Sequence, residues 1–155
     1  MANSYTQIYI QAIFVVKSRK NLIHKSWKEQ LHKYINGILQ KNNQMVFIIN
    51  GVEDHVHIFF GLNPNQSLSE LMQRVKQGSS FWINENKLCS QKFSWQPGYA
   101  AFSYSKSHIP NVIRYIKNQE IHHKKVTFLK EYKALLDKYE IDYNPKYLFK
   151  DVFKF

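Results

Sequence analysis

The chain has 155 residues, 44% of them apolar and 15% aromatic, with 22 basic against 11 acidic side chains and a net charge of +11. That is one domain's length, read here as a single domain over 1–155 that can bury a core without staples; Cys89 is the only cysteine, which excludes an internal disulfide framework and fits a reducing cytoplasm. No 18-residue apolar run marks a membrane span, the start Met1-Ala2-Asn3-Ser4 lacks signal-peptide character, and the basic excess, present both before and after residue 105, points to a polyanion partner.

Ile8, Ile10, Ala12, Phe14 and Val16 alternate with Gln7, Tyr9 and Gln11, the period of a strand with one strongly apolar face. Ser26-Trp27-Lys28-Glu29 has the form of a capping box. Trp27, Leu31, Tyr34, Ile35 and Ile38 then recur at helical spacing to about residue 41. Met45 to Ile49 reads as a second strand and His55 to Phe60 as a third. Asn50-Gly51 is one candidate for the turn between them, and Asp54 is the other. Ser67-Leu68-Ser69-Glu70 is a second capping box, opening a helix towards residue 86. Within it, Gly78-Ser79-Ser80 marks either a weak point or a site of close packing. Pro97-Gly98 punctuates an aromatic stretch before a strand from Tyr99 to Tyr104. Ser107 is the expected cap of a third helix, with Pro110 tolerated in its first turn. Thr127 starts a fourth helix, with Phe128, Tyr132, Leu135, Leu136 and Tyr139 on one face. The order β-α-β-β-α-β followed by helices is that of an α+β, ferredoxin-like split antiparallel sheet. That fold hosts many functions and decides no chemistry.

His55 and His57 lie two apart on a strand, so both imidazoles leave the same face while Val56, Ile58 and Phe60 bury the other. Two imidazoles side by side suit one divalent cation. Two polar residues on a solvated sheet face would give the same spacing. A cation would need a third protein ligand. Tyr115 and Gln119 are spaced i, i+4 at the edge of the stripe formed by Ile109, Val112, Ile113 and Ile116. A tyrosine hydroxyl is a candidate nucleophile, and a glutamine carbonyl oxygen is a neutral hard ligand. His122 and His123, one turn on, either reach the cation or complement the helix C-terminus with Lys124 and Lys125; the second reading is preferred. Lys17, Arg19, Lys20, Arg74 and Lys76 are the candidate phosphate contacts. Trp82, Trp95 and Phe102 are candidate base-stacking residues, with core packing the commoner fate of such side chains.

Asp54-His55-Val56-His57, Trp95-Gln96-Pro97-Gly98-Tyr99 and Tyr115 to His123 together resemble the single-tyrosine HUH transposases of small insertion sequences, of the IS200-like type. Glu131 to Leu136, Tyr143 and Tyr147-Leu148 extend the resemblance, which spans roughly residues 5 to 150. Glu53 and the Ala100-Ala101 pair depart from residues common in that family, proline and glycine respectively. The resemblance implies a DNA transposase that cleaves and joins single-stranded DNA through a covalent 5′-phosphotyrosine and recognises hairpins at element ends. It implies Tyr115 as nucleophile, His55, His57 and Gln119 as ligands of Mg²⁺ or Mn²⁺, and a homodimer. The competing readings are a domesticated hairpin-specific strand transferase, a binding module for single-stranded nucleic acid without chemistry, and a metal hydrolase that uses water.

Overall fold

The computed structural model describes residues 4–144; the expectation at Tyr147-Leu148 lies outside them. Its centre is a four-stranded antiparallel sheet of β1 (Tyr9–Val15), β2 (Met45–Val52), β3 (His55–Gly61) and β4 (Ala100–Tyr104), in the order β2-β3-β1-β4. With α1 (Lys25–Lys41) and α2 (Leu68–Glu85) as the crossovers, this is the split sheet read from the pattern. Three further helices follow β4: α3 (Ile109–Lys117), α4 (Gln119–His123) and α5 (Phe128–Lys138).

Strand alternation divides the core in two. Ile10, Ala12, Phe14 and Val16 of the first strand region and Val56, Ile58 and Phe60 of β3 pack under α1 and α2, against Trp27, Leu31, Ile35, Leu39, Leu71, Met72, Val75 and Ile83. Each such side chain contributes roughly 1.5–3 kcal/mol when fully buried. The residues between them face the other way. Ile13 and Val15 meet Phe128, Tyr132 and Leu136 of α5, and Phe59 meets Val112 and Ile116 of α3.

Local differences from the sequence pattern have local causes. The cap of α1 is His24, whose ring nitrogen accepts from the Ser26 backbone N–H, so Ser26 lies inside the helix and its capping box does not form. The second box behaves as read: Ser67 Oγ accepts the Glu70 N–H at 3.1 Å. The β2–β3 reversal falls on Glu53-Asp54, with Val52 paired to His55, and Asn50-Gly51 remains within β2. A Cβ on Gly51 would lie 2.2 Å from the His55 carbonyl oxygen, so glycine serves close strand approach there rather than a turn. Gly78 is also a packing glycine, since a Cβ there would meet Ile38 Cδ1 at 2.8 Å. Ser107 does not cap α3; it sits in a short 3₁₀ turn over Lys106–His108 in front of it. The stretch expected as one helix through Tyr115 and Gln119 is interrupted at Asn118, which separates α3 from α4.

Candidate active site and metal centre

The sheet face opposite α1 and α2 carries a closed polar cage. His55 and His57 leave β3 on this side, fully buried, with ring centroids 5.1 Å apart. Asp54 Oδ1 lies 2.7 Å from His55 Nδ1. A carboxylate there can accept an Nδ1 proton and hold the ring with Nε2 turned inward. Phe128 of α5 stacks on the same ring at 3.9 Å between centroids, docking the start of α5 against β3. Gln11, buried on β1, meets His57 Nδ1 at 2.9 Å and accepts the Tyr104 hydroxyl at 2.6 Å.

Tyr115 comes from the last turn of α3, and its ring stands edge-on to His57 at 5.8 Å between centroids. Its hydroxyl donates to Glu131 of α5. Gln119 opens α4 and is fully buried; its Oε1 lies 3.1 Å from His55 Nε2 and 3.0 Å from His123 Nε2. The four residues proposed for the chemistry are therefore gathered within one chain.

Glu131 and His123 are members of the cage that the sequence did not assign to it. Glu131 is 4% exposed, with Oε1 3.2 Å from His57 Nε2, 3.2 Å from His123 Nε2 and 3.6 Å from His55 Nε2. Its Oε2 lies 3.1 Å from His122 Nε2 and accepts from Gln119 Nε2 at 3.3 Å. His123 points into the cage rather than serving only the end of α4. The signal for it was already present: His123 is i+4 from Gln119. Glu131 opens the C-terminal stretch that extends the resemblance, but no spacing along the chain tied it to the histidines.

The electrostatics follow from burial and from this one carboxylate. Burial pushes the His57 imidazole down to about 4, against the pull of Glu131. Burial also opposes protonation of His123, but its hydrogen bond to Glu131 and that group's charge prevail and raise its pKa. Glu131 is itself desolvated, yet hydrogen bonds from His123 and His57, with those of other partners, hold it well below the usual carboxylate range. Burial and the adjacent Glu131 charge raise Tyr115, so the phenol holds its proton firmly.

The donor set fits a small divalent cation. His55 Nε2, Gln119 Oε1, Glu131 Oε1 and His57 Nε2 converge, and the two histidines with Glu131 offer ligand atoms all within 4.8 Å of one another. Bonds of 2.0–2.1 Å at right angles would space neighbouring ligand atoms about 3 Å apart. The contacts of 3.1 and 3.2 Å match that spacing. Mixed imidazole, amide and carboxylate donors suit a hard or borderline divalent ion more than a thiolate-seeking one.

The expected phosphate contacts divide by face. Arg19 lines a depression of about 460 Å³ that also includes Asp54, His123 and Phe128, beside the cage. Lys17 and Lys20 flank it in sequence and are exposed. Arg74 is exposed on α2, across the sheet from the cage. Lys76 is engaged elsewhere: its Nζ donates to the Gln96 and Gly98 carbonyls at 2.7 and 2.6 Å, pinning the loop before β4 to α2. Of the aromatic candidates, Trp95 is buried with its N–H on Ser79 Oγ, Phe102 is core, and Trp82 is half-buried and stacks on Tyr34.

Residues 4–119 match the family model described as "Transposase IS200 like", and the chain belongs to that family. No protein of curated function matches the sequence. The solved structures that share its fold include two with a TM-score of 0.61 each. One, from Deinococcus radiodurans and assigned as a transposase, is 18% identical over 77% of this chain and 96% of its own. The other, a REP-associated tyrosine transposase bound to a REP hairpin, is 14% identical over 100% of this chain and 93% of its own. Among the described residues no helix is long and apolar enough to cross a membrane.

Proposed function

We propose that this transposase cuts and rejoins single-stranded DNA through a covalent link to Tyr115, with hairpin-bearing strands as its substrates. The observation that carries the reading is the convergence of buried His55, His57 and Gln119 with half-buried Tyr115 at their edge. In the cutting step the Tyr115 oxygen forms a bond to the scissile phosphorus, and the bond from phosphorus to the 3′-oxygen breaks. The 5′-phosphate stays on the tyrosine and a 3′-hydroxyl is released. One phosphodiester-like bond replaces another, so a 3′-hydroxyl can reverse the step on the same or another strand without ATP. A Mg²⁺ or Mn²⁺ ion on His55, His57 and Gln119 would supply positive charge to the phosphate and the leaving oxygen.

The chain's own residues do the placing. Asp54 sets the tautomer of His55, and Gln11 orients His57. A free phenol with pKa near 10 is less than about 1% ionised at pH 7, and Tyr115 is raised further. In the resting site the phenol therefore keeps its proton, which departs in the course of the cutting step. The solved relative bound to a REP hairpin supports a hairpin substrate for this chain. The homodimer implied by the resemblance is part of this proposal; within the one chain described, the Tyr115 and His57 rings stand 5.8 Å apart.

Purified protein incubated with Mn²⁺ and a hairpin-bearing single strand is expected to yield an adduct that survives denaturing electrophoresis. Tyr115→Phe is expected to remove the adduct and leave strand binding nearly intact. An adduct of unchanged yield in that variant would exclude Tyr115 as the nucleophile.

A further inference from the structure

We infer that Glu131 is the charged ligand of the cation and that its second oxygen holds the Tyr115 hydroxyl beside it; the inference rests on the function proposed above. It adds to the ligand set a carboxylate from α5, a helix beyond the segment that carries the two histidines, the tyrosine and the glutamine.

Three observations lead there. The first is position. Glu131 Oε1 stands 3.2 Å from His57 Nε2 and 3.6 Å from His55 Nε2, the spacing of neighbouring ligands around one small ion. The second is charge. His55, His57 and Gln119 are all neutral as ligands, and they are buried at 0% exposure. Three neutral donors would leave the dication with no charged ligand, the Asp54 carboxylate standing behind the His55 ring on its far nitrogen. Glu131 supplies that charge, and the ion-pair partners seen for it are all imidazoles. A carboxylate buried to this degree is costly unless a cation faces it. Two histidines and one carboxylate with open positions form a recurrent site for hard and borderline divalent ions. The third is division of labour between its oxygens. Oε1 faces the histidines while Oε2 accepts the Tyr115 hydroxyl. A carboxylate bound to the ion through one oxygen thus fixes the nucleophile beside the phosphate that the ion receives.

The fold makes this placement possible. Thr127 Oγ1 caps α5 by accepting the Lys130 N–H, and Phe128 stacks on His55. Those two anchors direct the first turn of α5 at the cage. Glu131 follows Phe128 by three residues, so both lie on the face turned to β3.

The test is a titration of Mn²⁺, followed by the loss of its free-ion paramagnetic resonance signal, into the full chain without DNA. The wild type is expected to bind one ion, and His57→Ala is expected to bind none measurably. Glu131→Gln keeps the shape and removes the charge; it is expected to weaken Mn²⁺ binding at least about tenfold. Tyr115→Phe is expected to bind as the wild type does. With Glu131→Gln, raising Mn²⁺ is expected to recover part of the adduct that is lost at limiting ion. Wild-type or tighter affinity in Glu131→Gln would overturn the inference and mark the carboxylate as a plug in the ion's place, while the loss in His57→Ala would leave the proposed function standing. Absence of Mn²⁺ binding by the wild type would overturn both. Should Glu131→Gln fail to fold by circular dichroism, Glu131→Asp, which keeps the charge on a shorter arm, is expected to bind more weakly than the wild type. Equal affinity there overturns the inference.

Discussion

The two faces of the sheet are built on opposite plans from the same strands. Val56, Ile58 and Phe60 send apolar side chains towards α1 and α2, while His55 and His57, one residue out of step, send imidazoles towards α3, α4 and α5. The first face is stable because water is excluded from it. The second buries polar groups that are satisfied largely by one another, so its stability depends on those partners being present. This contrast predicts two different responses to perturbation. Phe14→Ala, on the dry face, is expected to cost about 3–5 kcal/mol in urea unfolding, the usual loss for a buried phenylalanine. That loss should be the same with and without Mn²⁺. The wild type itself should gain about 2.7 kcal/mol at an Mn²⁺ concentration one hundred times the dissociation constant, because the ion binds the folded cage alone. A Phe14→Ala penalty that shrinks when Mn²⁺ is added would mean that the two faces are not independent.

A histidine on each side sharpens the comparison. Across the sheet, His57 and His123 both face Glu131. On α1, His32 has a buried Nε2 with no hydrogen-bond partner. Burial, with Lys28 nearby, pushes its pKa down to about 4. The sign is fixed: the folded pKa lies below the unfolded value near 6.5, so the unfolded chain takes up the proton first as pH falls. The contribution from His32 is fully present above pH 6.5 and is lost progressively between pH 6.5 and about 4, by roughly 3 kcal/mol in total. His32→Leu is expected to remove that part of the pH dependence, so the stability difference between variant and wild type should grow on acidification from pH 7 to 4. A difference constant over that range would show that His32 is solvated or finds a partner in solution.

What the sequence made legible follows the same division. Period-two alternation in Ile8 to Val16 and in His55 to Phe60, together with the Ser67 cap, depends on neighbours along the chain, and so it identified the strands, the sheet type and the direction of both histidines. The turn at Glu53-Asp54 was less legible, because Asn50-Gly51 offers the stronger local turn chemistry; close contact with the His55 carbonyl, a tertiary effect, is what uses Gly51. The break at Asn118 was hidden by helix-forming residues on both sides. Tyr115 and Gln119 were found through their spacing, and that spacing places both near the cage even though the helix is interrupted between them. Glu131 fell within the stretch that carries the resemblance, but its place in the cage was not legible. A glutamate between Lys130 and Lys133 on an amphipathic helix has the pattern of a solvated face, and only the docking of Phe128 on His55 buries it.

The smallest expected effect tests whether DNA keeps to one face. Arg19 lies in the depression that reaches His123, and Arg74 lies on α2 behind the sheet. A strand that enters the cage along the depression at His123 would meet the first and not the second. Each phosphate contact on single-stranded DNA contributes about 0.7 to the slope of log affinity against log salt. Arg19→Ala is therefore expected to lower that slope by about 0.7, measured by fluorescence anisotropy of a labelled hairpin strand between 50 and 200 mM salt. Arg74→Ala is expected to leave it unchanged. An equal fall in both variants would mean that the strand wraps the α2 face too, and the basic residues there would then belong to the DNA path despite their distance from the histidines.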